Sequence, residues 1–300
     1  MASEREILDF LRRRPVPVKS GVTLGIGDDC ALYRPKPGEE LAFTTDFLIE
    51  DVHFRWETHT ATQIGHKALA RGLSDIAAMG AKPSFCLLSL ALPDRADRRW
   101  VQRFYRGLLA LADRTGTILA GGDLARDHQF HADIVVCGSV PRGTALRRSG
   151  AHLQDRVYVS GSLGGSALGL ETKRGAAWKR HLQIEPRLRL GQFLRTRLKA
   201  TACMDLSDGL SLDLHRLCLE SVVSASVGVP PKFPGATDLQ ALHGGEDYEL
   251  LFTVRPRTRV PPAFEGVPLT EIGEITPGHA GRVLLDGKPL EPRGFDHFAA

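Results

Sequence analysis

Six short acidic clusters, each placed among glycine, serine or threonine residues, constrain this chain most. They are spread over both halves of its 300 residues, so a fold that uses them together must gather distant segments. Carboxylates are the ligands that magnesium prefers, and small neighbours let the backbone turn sharply and a phosphate approach closely. A single Gly-Asp pair is more often an ordinary turn, but six clusters favour a multi-metal site. The clusters are Gly25-Ile-Gly-Asp-Asp29, Thr44-Thr-Asp46, Ser74-Asp75, Gly121-Gly-Asp123, Asp205-Leu-Ser-Asp208 and Gly244-Gly-Glu-Asp247.

The length of the chain predicts two domains, because 300 residues exceed what one compact core usually holds. Turn-forming segments, Pro141-Arg-Gly143 and Arg147-Arg-Ser-Gly150, follow an apolar strand pattern near the middle of the chain. We therefore expect a boundary there, with domains at residues 1–143 and 144–300.

Composition excludes several classes of protein. Hydrophobic residues make up 42% and charged residues 25%, which argues against disorder. No apolar stretch is long enough to cross a bilayer and the N-terminus lacks the order of a signal peptide, so we expect a cytoplasmic protein without membrane contact. The net charge of +4 comes without a nucleic-acid motif, so no nucleic-acid partner is expected. Five cysteines without a C-x-x-C pair predict core fillers.

Strand and helix patterns alternate in the first half. Leu41-Ala-Phe-Thr-Thr-Asp46 is typical of a strand that ends at its acidic residue. A helix follows, since Thr60-Ala-Thr-Gln63 fits a capping box and apolar residues recur at helical spacing until Gly80. Asp75 then lies near the C-terminal end of this helix, where the dipole favours cations. We interpret that conflict as a sign of function.

Glycine-rich segments follow other predicted strands. Gly121-Gly-Asp123 is predicted to end the strand Thr117–Ala120, and Val157–Ser160 leads into Gly161-Ser-Leu-Gly-Gly-Ser166. That loop either cradles a phosphate or forms a plain tight turn. The helix that begins after Asp208 is the better phosphate site, because free N–H groups are expected at its N-terminus. Strands and helices mix in both halves, so the predicted class is α/β or α+β.

The number of candidate carboxylates points to one kind of chemistry. They are too many for a single acid and base pair, and neither a Ser-His-Asp nor a Cys-His arrangement has usable spacing. A site lined by several Asp side chains would repel a nucleotide unless divalent cations lay between them. The clusters therefore predict metal-bridged phosphoryl transfer.

A series of motifs, in order and at similar spacing, resembles the thiamine-monophosphate kinase family. The resemblance spans nearly the whole chain, and each motif is modest singly but the set is specific. The motifs are Gly25-Ile-Gly-Asp-Asp-Cys-Ala31, Thr44-Thr-Asp46, Asp51-Val-His-Phe54, Lys67-Ala-Leu-Ala70, Leu73-Ser-Asp-Ile-Ala-Ala-Met-Gly-Ala81, Gly121-Gly-Asp123, Arg148-Ser-Gly150, Met204-Asp-Leu-Ser-Asp-Gly209, Gly244-Gly-Glu-Asp-Tyr-Glu-Leu250 and Gly294-Phe-Asp-His-Phe298.

This resemblance implies ATP-dependent phosphorylation of thiamine monophosphate to thiamine diphosphate, by direct in-line transfer assisted by several Mg²⁺ ions. It implies a homodimer with the two-domain fold of aminoimidazole ribonucleotide synthetase, of α/β (α+β) class. Residues 1–143 would bind metal and ATP and pair their sheets across the dimer, and residues 144–300 would form an α/β domain that completes the substrate site. No catalytic base is expected, because the acceptor phosphate is already largely ionised near neutral pH.

The resemblance also assigns roles to individual residues. Magnesium would be held by carboxylates and hydroxyls, ATP by a glycine, an acid, a fork-shaped guanidinium and a serine, and thiamine monophosphate by three further side chains. The implied metal ligands are Asp29, Thr44, Thr45, Asp46, Asp75, Asp123, Asp205 and Asp208. The implied ATP contacts are Gly122, Asp123, Arg148 and Ser207, and the implied substrate contacts are His53, Glu246 and Phe295.

The chain departs from the family pattern at two glycines. We expect Asn where Gly72 precedes Leu-Ser-Asp75, and Asp where Gly165 stands in the glycine loop. Both changes remove a polar side chain next to a predicted site, whereas the main acidic clusters remain. Activity is therefore still expected.

Two other readings compete with this one. A selenophosphate synthetase or aminoimidazole ribonucleotide synthetase has similar acidic sites, but the former should carry a reactive Cys in a glycine-rich loop, and Cys30 after Gly-Asp-Asp29 is not in that arrangement. A non-catalytic nucleotide-binding dimer is less favoured, because clustered carboxylates without cations destabilise a fold.

Overall fold

The computed structural model describes residues 4–13 and 21–295. The chain divides into two compact units, one of Met1–Ile76 with Ala81–Gly143 and the other of Ala77–Gly80 with Thr144–Ala300. Among the described residues, no helix is both long and apolar enough to cross a membrane.

The described residues of the first unit form three helices and six strands. Helix α2 buries Leu69, Leu73 and Ile76, the apolar residues that recur at helical spacing. It starts as the sequence predicts, because Thr60 N donates to Gln63 Oε1 at 2.8 Å and Gln63 N donates to Thr60 Oγ1 at 3.3 Å. The elements are α1 (Glu4–Arg12), β1 (Val22–Leu24), β2 (Leu32–Tyr33), β3 (Glu39–Ile49), α2 (Ala61–Ala78), β4 (Lys82–Leu92), α3 (Arg98–Thr115), β5 (Ile118–Arg126) and β6 (His131–Pro141).

Four strands of this unit form one mixed sheet in the order β3-β6-β4-β5. β6 is antiparallel to both of its neighbours, and β5 is parallel to β4. β1 and β2 form a separate antiparallel pair.

Two strands of this sheet run further than the sequence predicts. β3 continues past Asp46 to Ile49, and Gly121-Gly-Asp123 lies inside β5 instead of ending its strand. β3 is paired with β6 along its whole length, and residues 121–123 pair with Leu87–Ser89 of β4. The prediction that both motifs end their strands is wrong, because pairing with neighbouring strands overrides the local turn preference of Gly and Asp.

The second unit is built around a mixed eight-stranded sheet. The elements are β7 (Arg156–Ser160), α4 (Gly165–Thr172), α5 (Gly175–Leu182), α6 (Leu188–Phe193), a π-helical turn (Leu194–Leu198), β8 (Ala202–Asp205), α7 (Leu210–Glu220), β9 (Ser224–Val227), α8 (Asp238–His243), β10 (Leu250–Val254), β11 (Ala263–Phe264), β12 (Val267–Thr276), β13 (Val283–Leu285) and β14 (Lys288–Pro289). The strand order is β14-β13-β9-β12-β7-β10-β8, with β11 beside β12.

The core of the second unit lies between this sheet and helix α7. The helix buries Leu210, Leu214 and Leu217, as its apolar spacing predicts. The Asp286-Gly287 pair between two apolar runs predicts a hairpin, and it is present, since both residues have positive φ between the paired strands β13 and β14. Strands and helices mix in both units, which confirms the α/β (α+β) class.

Candidate functional site

The four-stranded sheet divides the Thr44-Thr-Asp46 motif between its two faces. Successive side chains of a strand point to opposite faces, so Thr44 and Asp46 share one face and Thr45 points to the other. The contacts agree: Thr44 and Asp46 meet helix α2, whereas Thr45 Oγ1 donates to Asp133 Oδ1 at 2.7 Å. The motif therefore supplies oxygen atoms to two separate places in the first unit.

One row of polar side chains on helix α2 meets the first of these faces. Thr44 Oγ1 donates to Asp75 Oδ2 in a short contact. One turn earlier on the helix, Arg71 Nη2 lies 3.4 Å from Asp46 Oδ1, and Arg71 Nη1 donates to Phe47 O at 2.6 Å. Three predicted metal ligands, Thr44, Asp46 and Asp75, thus lie along one side of α2, with an arginine among them.

A cavity of about 980 Å³ lies at the other face of this sheet, within the first unit. Asp29, Gly122, Asp123 and Asp133 all line it. Across the sheet, Ser89 of β4 stands opposite Asp123 on one neighbour and Asp133 on the other, which places three oxygen-bearing side chains in one row. The structure therefore brings the predicted ligands Asp29 and Asp123 to the same cavity and adds Asp133 to them.

His53 lies in the segment between β3 and α2 and is 8% exposed. Its Nδ1 accepts the N–H of Ile49 at 3.0 Å, so the neutral ring carries its proton on Nε2. The main-chain oxygen of His53 accepts a hydrogen bond of 2.8 Å from Lys67 Nζ, and Lys67 is only 1% exposed. The protein itself thus fixes both the ring and its backbone, and the substrate contact of His53 stays a prediction.

Packing explains the glycine at position 72. A Cβ built on Gly72 would lie 2.6 Å from Val136 Cγ2 of β6, closer than any side chain tolerates. Helix α2 approaches the sheet at this point, so the Asn that the family pattern leads us to expect has no room here unless Val136 moves.

In the second unit, three predicted segments meet at the end of β8. Ser207 O accepts the N–H of Glu246 at 2.7 Å, and Asp208 O accepts the N–H of Phe295 at 3.2 Å. Asp205, the last residue of β8, is 3% exposed, whereas Phe295 is 45% exposed. Backbone hydrogen bonds therefore connect the Asp-Leu-Ser-Asp, Gly-Gly-Glu-Asp and C-terminal segments. The rest of the C-terminal motif, residues 296–298, lies outside the described residues.

Asp208 is held by two residues of α7 that the sequence argument overlooked. Asp213 Oδ2 accepts the N–H groups of Asp208 and Gly209, each at 3.1 Å. Arg216 Nη1 donates both to Asp208 Oδ2, in a short contact, and to Asp213 Oδ1 at 3.1 Å. Burial, and then the negative charge of Asp208, raise the pKa of Asp213 to about 6. The expectation of free N–H groups here is wrong for Asp208 and Gly209, because Asp213 occupies both.

The glycine loop binds an anion that belongs to the protein. Asp247 Oδ2 accepts the N–H of Gly164 at 2.6 Å, and Asp247 Oδ1 accepts the N–H of Ser166 at 3.1 Å. Burial raises the pKa of Asp247 to about 6, although these two N–H groups act in the opposite direction. In this structure the loop is therefore a helix start capped by Asp247.

The absence of a side chain at Gly165 also has a local reason. A Cβ built there would lie 2.8 Å from the ring of Phe233. The Asp that the family pattern leads us to expect has no space beside this ring, and Asp247 already supplies a carboxylate to the neighbouring N–H groups.

A buried carboxylate beside this loop is paired with two arginines. Glu249 is 1% exposed and receives hydrogen bonds from Arg187 Nε at 2.8 Å and Ser160 Oγ at 2.5 Å, with a further contact from Arg180. Burial favours a raised pKa for Glu249, but the bonds from Arg187 and the charge of Arg180 outweigh it and lower the pKa. Arg180 Nη2 also donates to Asp247 O at 2.7 Å, which ties this network to the loop.

Glu246 itself has a φ of 64°, in the left-handed region that a residue with a Cβ rarely adopts. Its Oε2 lies 3.4 Å from His181 Nδ1, which also meets Ser166 Oγ at 2.9 Å. The Trp178 ring stacks on His181 with centroids 5.1 Å apart. A residue with a Cβ keeps this backbone conformation only where its surroundings hold it, and the substrate contact of Glu246 stays a prediction.

Two further predictions concern exposed residues. Arg148 is exposed, and its main-chain oxygen accepts a hydrogen bond from Ser221 Oγ at 2.8 Å. The ATP contact of Arg148 stays a prediction.

Four of the five cysteines are buried, as core fillers should be, but Cys30 is exposed. The core-filling prediction is wrong for Cys30, because it follows Asp29 at the cavity instead of lying within an element.

The side chains of the site carry the oxygen donors that magnesium prefers. Within residues 4–13 and 21–295, no three His, Cys, Asp or Glu side chains converge closely enough to hold a metal ion. The polar groups present are carboxylates and hydroxyls, and magnesium usually binds one or two carboxylates together with substrate phosphates and water. Carboxylates presented singly or in pairs suit that coordination, and magnesium binding stays a prediction.

Comparisons with known proteins decide the family. A family model described as AIR synthase related protein, N-terminal domain, matches residues 27–140. The thiamine-monophosphate kinase of Escherichia coli strain K12 is 39% identical over 307 residues, which cover 93% of each chain. The chain belongs to the thiamine-monophosphate kinase family. A crystal structure of the family member from Stenotrophomonas maltophilia K279a matches with a TM-score of 0.84 and 37% identity, covering 96% of this chain and 98% of that one.

A second solved structure of the family carries ligands. It is described as AaThiL complexed with AMPPCP and TMP, and it matches with a TM-score of 0.79 and 31% identity, covering 88% of this chain and 89% of that one. Together with the family model, these likenesses confirm the expected fold related to aminoimidazole ribonucleotide synthetase.

Residues that the sequence argument missed fall into two kinds. Asp213 and Arg216 had a signal, because they lie three residues apart on a helix that starts beside Asp208. Glu249 also had one, because it stands in the Gly244–Leu250 motif. Asp133 had none, since it lies in an apolar strand and meets Thr45 only through the fold.

Proposed function

We propose that this protein transfers the terminal phosphoryl group of ATP to thiamine monophosphate and so forms thiamine diphosphate. The observation that carries the proposal is the likeness, over most of the chain, to a family member bound to AMPPCP and TMP. Asp29, Gly122 and Asp123 at one cavity of the first unit are consistent with it. Because the reaction consumes ATP, the proposal includes a cytoplasmic location.

The acceptor explains why the site needs no strong base. A phosphate monoester has a second pKa near 6, so its oxygen is largely ionised at neutral pH. Positioning and charge neutralisation then dominate the barrier. Bound magnesium would offset the charges of both phosphate groups and orient them for in-line transfer.

The residues of the first unit are proposed to hold magnesium and the polyphosphate. Asp29 and Asp123 supply carboxylates at the cavity, and Gly122 lets a phosphate approach the backbone beside them. Thr44, Thr45, Asp46 and Asp75 supply further oxygens on the two faces of the sheet. His53, whose ring and backbone are held by Ile49 and Lys67, contacts the substrate.

The residues of the second unit are proposed to bind magnesium, ATP and the thiamine substrate. Asp205 and Asp208 supply carboxylates for magnesium, and Ser207 contacts ATP from the loop between them. The exposed Arg148 provides a forked donor for phosphate oxygens. Glu246 and Phe295, both bonded to the Ser207–Asp208 backbone, contact the thiamine part of the substrate, and the Phe ring suits a flat cationic heterocycle.

A homodimer belongs to the same proposal. β3 is an edge strand of the four-stranded sheet, and two of its phenylalanines, Phe43 and Phe47, are 62% and 57% exposed. Large apolar side chains on an edge strand are typical of an interface. Replacing Phe43 and Phe47 by Lys should shift the protein to a monomer in light scattering, whereas an unchanged mass would contradict this interface.

Incubation of the purified protein with Mg-ATP and thiamine monophosphate tests the reaction. We expect thiamine diphosphate and ADP in equal amounts, and no product when EDTA replaces magnesium. A parallel reaction with free thiamine tests the acceptor, since thiamine lacks the ionised phosphate and should not react. Absence of thiamine diphosphate, beside an active family member as control, would refute the proposal.

A further inference from the structure

Arg216 is a residue of the second unit whose contacts the proposed reaction does not explain. It lies on α7 and bonds two carboxylates with one nitrogen, Asp208 Oδ2 and Asp213 Oδ1. One of these carboxylates, Asp208, is a proposed magnesium ligand. A guanidinium that is bonded to a metal-binding carboxylate puts a positive charge where the metal ion would bind. Charge repulsion alone should therefore weaken the binding of the metal ion.

The two carboxylates differ in freedom. Asp213 is 0% exposed, and its Oδ2 is fixed by the N–H groups of Asp208 and Gly209. The Asp208 side chain is 25% exposed and that of Arg216 is 37% exposed. Asp213 is therefore a fixed anchor, whereas Asp208 and the guanidinium can separate by rotation of their own side chains.

A divalent cation and a guanidinium on the same carboxylate repel each other. Arg216 can avoid this repulsion by keeping its bond to Asp213 and giving up Asp208, because Asp213 stays in place through its backbone partners. No unfolding is needed for this exchange. In the absence of metal, the same arginine neutralises Asp208 and holds the Ser207–Asp208 loop, to which Glu246 and Phe295 are bonded.

We propose that Arg216 is a built-in counter-cation that occupies Asp208 in the metal-free protein and weakens the affinity of this carboxylate for divalent cations. It is a positioning residue: it keeps the loop in order before metal binds and then withdraws to Asp213. This inference rests on the proposed metal role of Asp208.

The test is Mn²⁺ binding to the full-length protein without nucleotide, measured from the electron paramagnetic resonance signal of free Mn²⁺ after removal of metal by EDTA. We expect Arg216→Met to bind Mn²⁺ about two- to fivefold more tightly at the site that Asp208→Asn removes, the range for losing a partly exposed ion pair. Arg216→Lys, which keeps the charge, should bind as the wild type does. Arg189→Met, which removes an exposed arginine paired with Glu265 at 2.6 Å, is the matched control and should change nothing.

A second measurement separates this role from a purely structural one. The melting temperature of Arg216→Met should fall in EDTA and recover on addition of Mn²⁺ by more than the wild type gains. If Arg216→Met is unfolded in EDTA, Arg216→Gln, which keeps hydrogen-bond donors without the charge, replaces it in both measurements.

The outcomes distinguish the two proposals. Unchanged or weaker Mn²⁺ binding in Arg216→Met, with binding still lost in Asp208→Asn, overturns the role of Arg216 and leaves the metal role of Asp208 intact. Unchanged Mn²⁺ binding in Asp208→Asn overturns both. In the double variant Asp208→Asn with Arg216→Met, the effect of the arginine should vanish, and its persistence would show that Arg216 acts elsewhere.

Discussion

In the first unit, Asp29 and Asp123 line a cavity, whereas in the second unit Asp208, Asp213 and Glu249 have arginine partners. The first arrangement gathers negative charge that an added cation can neutralise. The second neutralises its charge within the protein and uses it to hold loops. The comparison teaches that similar Gly- and Asp-rich motifs present their carboxylates in two ways, at a cavity in the first unit and in contact with arginines in the second.

The contrast has a counterpart within the first unit. Asp46 lies 3.4 Å from Arg71, so one predicted ligand there also has a cation beside it. The difference between the units is therefore one of degree, and substitutions in each can measure it.

The largest effect is expected in the buried scaffold. Glu249→Gln leaves the partly buried Arg180 and Arg187 without their carboxylate and should lower the free energy of unfolding by about 3–5 kcal/mol. Urea unfolding followed by circular dichroism measures it. Glu265→Gln, at a pair whose acid is 41% exposed, is the control and should cost no more than about 1 kcal/mol. Equal losses in the two variants would contradict the scaffold role.

The next effect is on turnover in the cavity. Asp123→Asn should lower kcat by about 10²–10³-fold, the range for losing one group that stabilises charge in the transition state. Because Asp123 is exposed, the unfolding midpoint of Asp123→Asn should barely differ from that of the wild type. Asp94→Asn, on an exposed pair with Arg126 in the same unit, should keep wild-type turnover. Near-normal kcat in Asp123→Asn would remove this residue from the metal site.

A pH effect tests whether the glycine loop is scaffold. The folded pKa of Asp247 is about 6, above its ordinary value, so its contribution to stability is fully present at low pH and is lost as pH rises through about 6. The wild type should therefore gain about 1 kcal/mol of stability relative to Asp247→Asn when the pH falls from 7 to 5. Urea unfolding at both values measures it, and a difference independent of pH would contradict the raised pKa.

The smallest effect is expected at Phe295, the proposed thiamine contact. Phe295→Ala removes an aromatic face without touching the main-chain bond to Asp208, so KM for thiamine monophosphate should rise by about three- to tenfold at unchanged kcat. Steady-state kinetics at saturating ATP separates the two constants. Leu239→Ala, at an exposed apolar residue of the same unit, is the control. A fall in kcat with constant KM would assign Phe295 a different role.

Much of the local structure follows from the sequence. The start of α2 at Thr60, the apolar face of α7 and the Asp286-Gly287 hairpin depend on neighbours within a few residues, and all three are confirmed. The ends of β3 and β5 were predicted wrongly, because their pairing partners lie far away in the chain. The roles of the two domains and of the individual site residues stay predictions.

The sequence by itself determined the family and the chemistry, because motif order and the repeated Asp and Gly residues do not depend on coordinates. Only the tertiary structure decided which carboxylates face a cavity and which are occupied. Asp123 and Asp208 look alike in sequence, but Asp123 faces a cavity across from Ser89, whereas Asp208 meets Arg216 on the following helix. The physical reason is that the charge state and availability of a carboxylate depend on its burial and its partners in space, which local sequence does not specify.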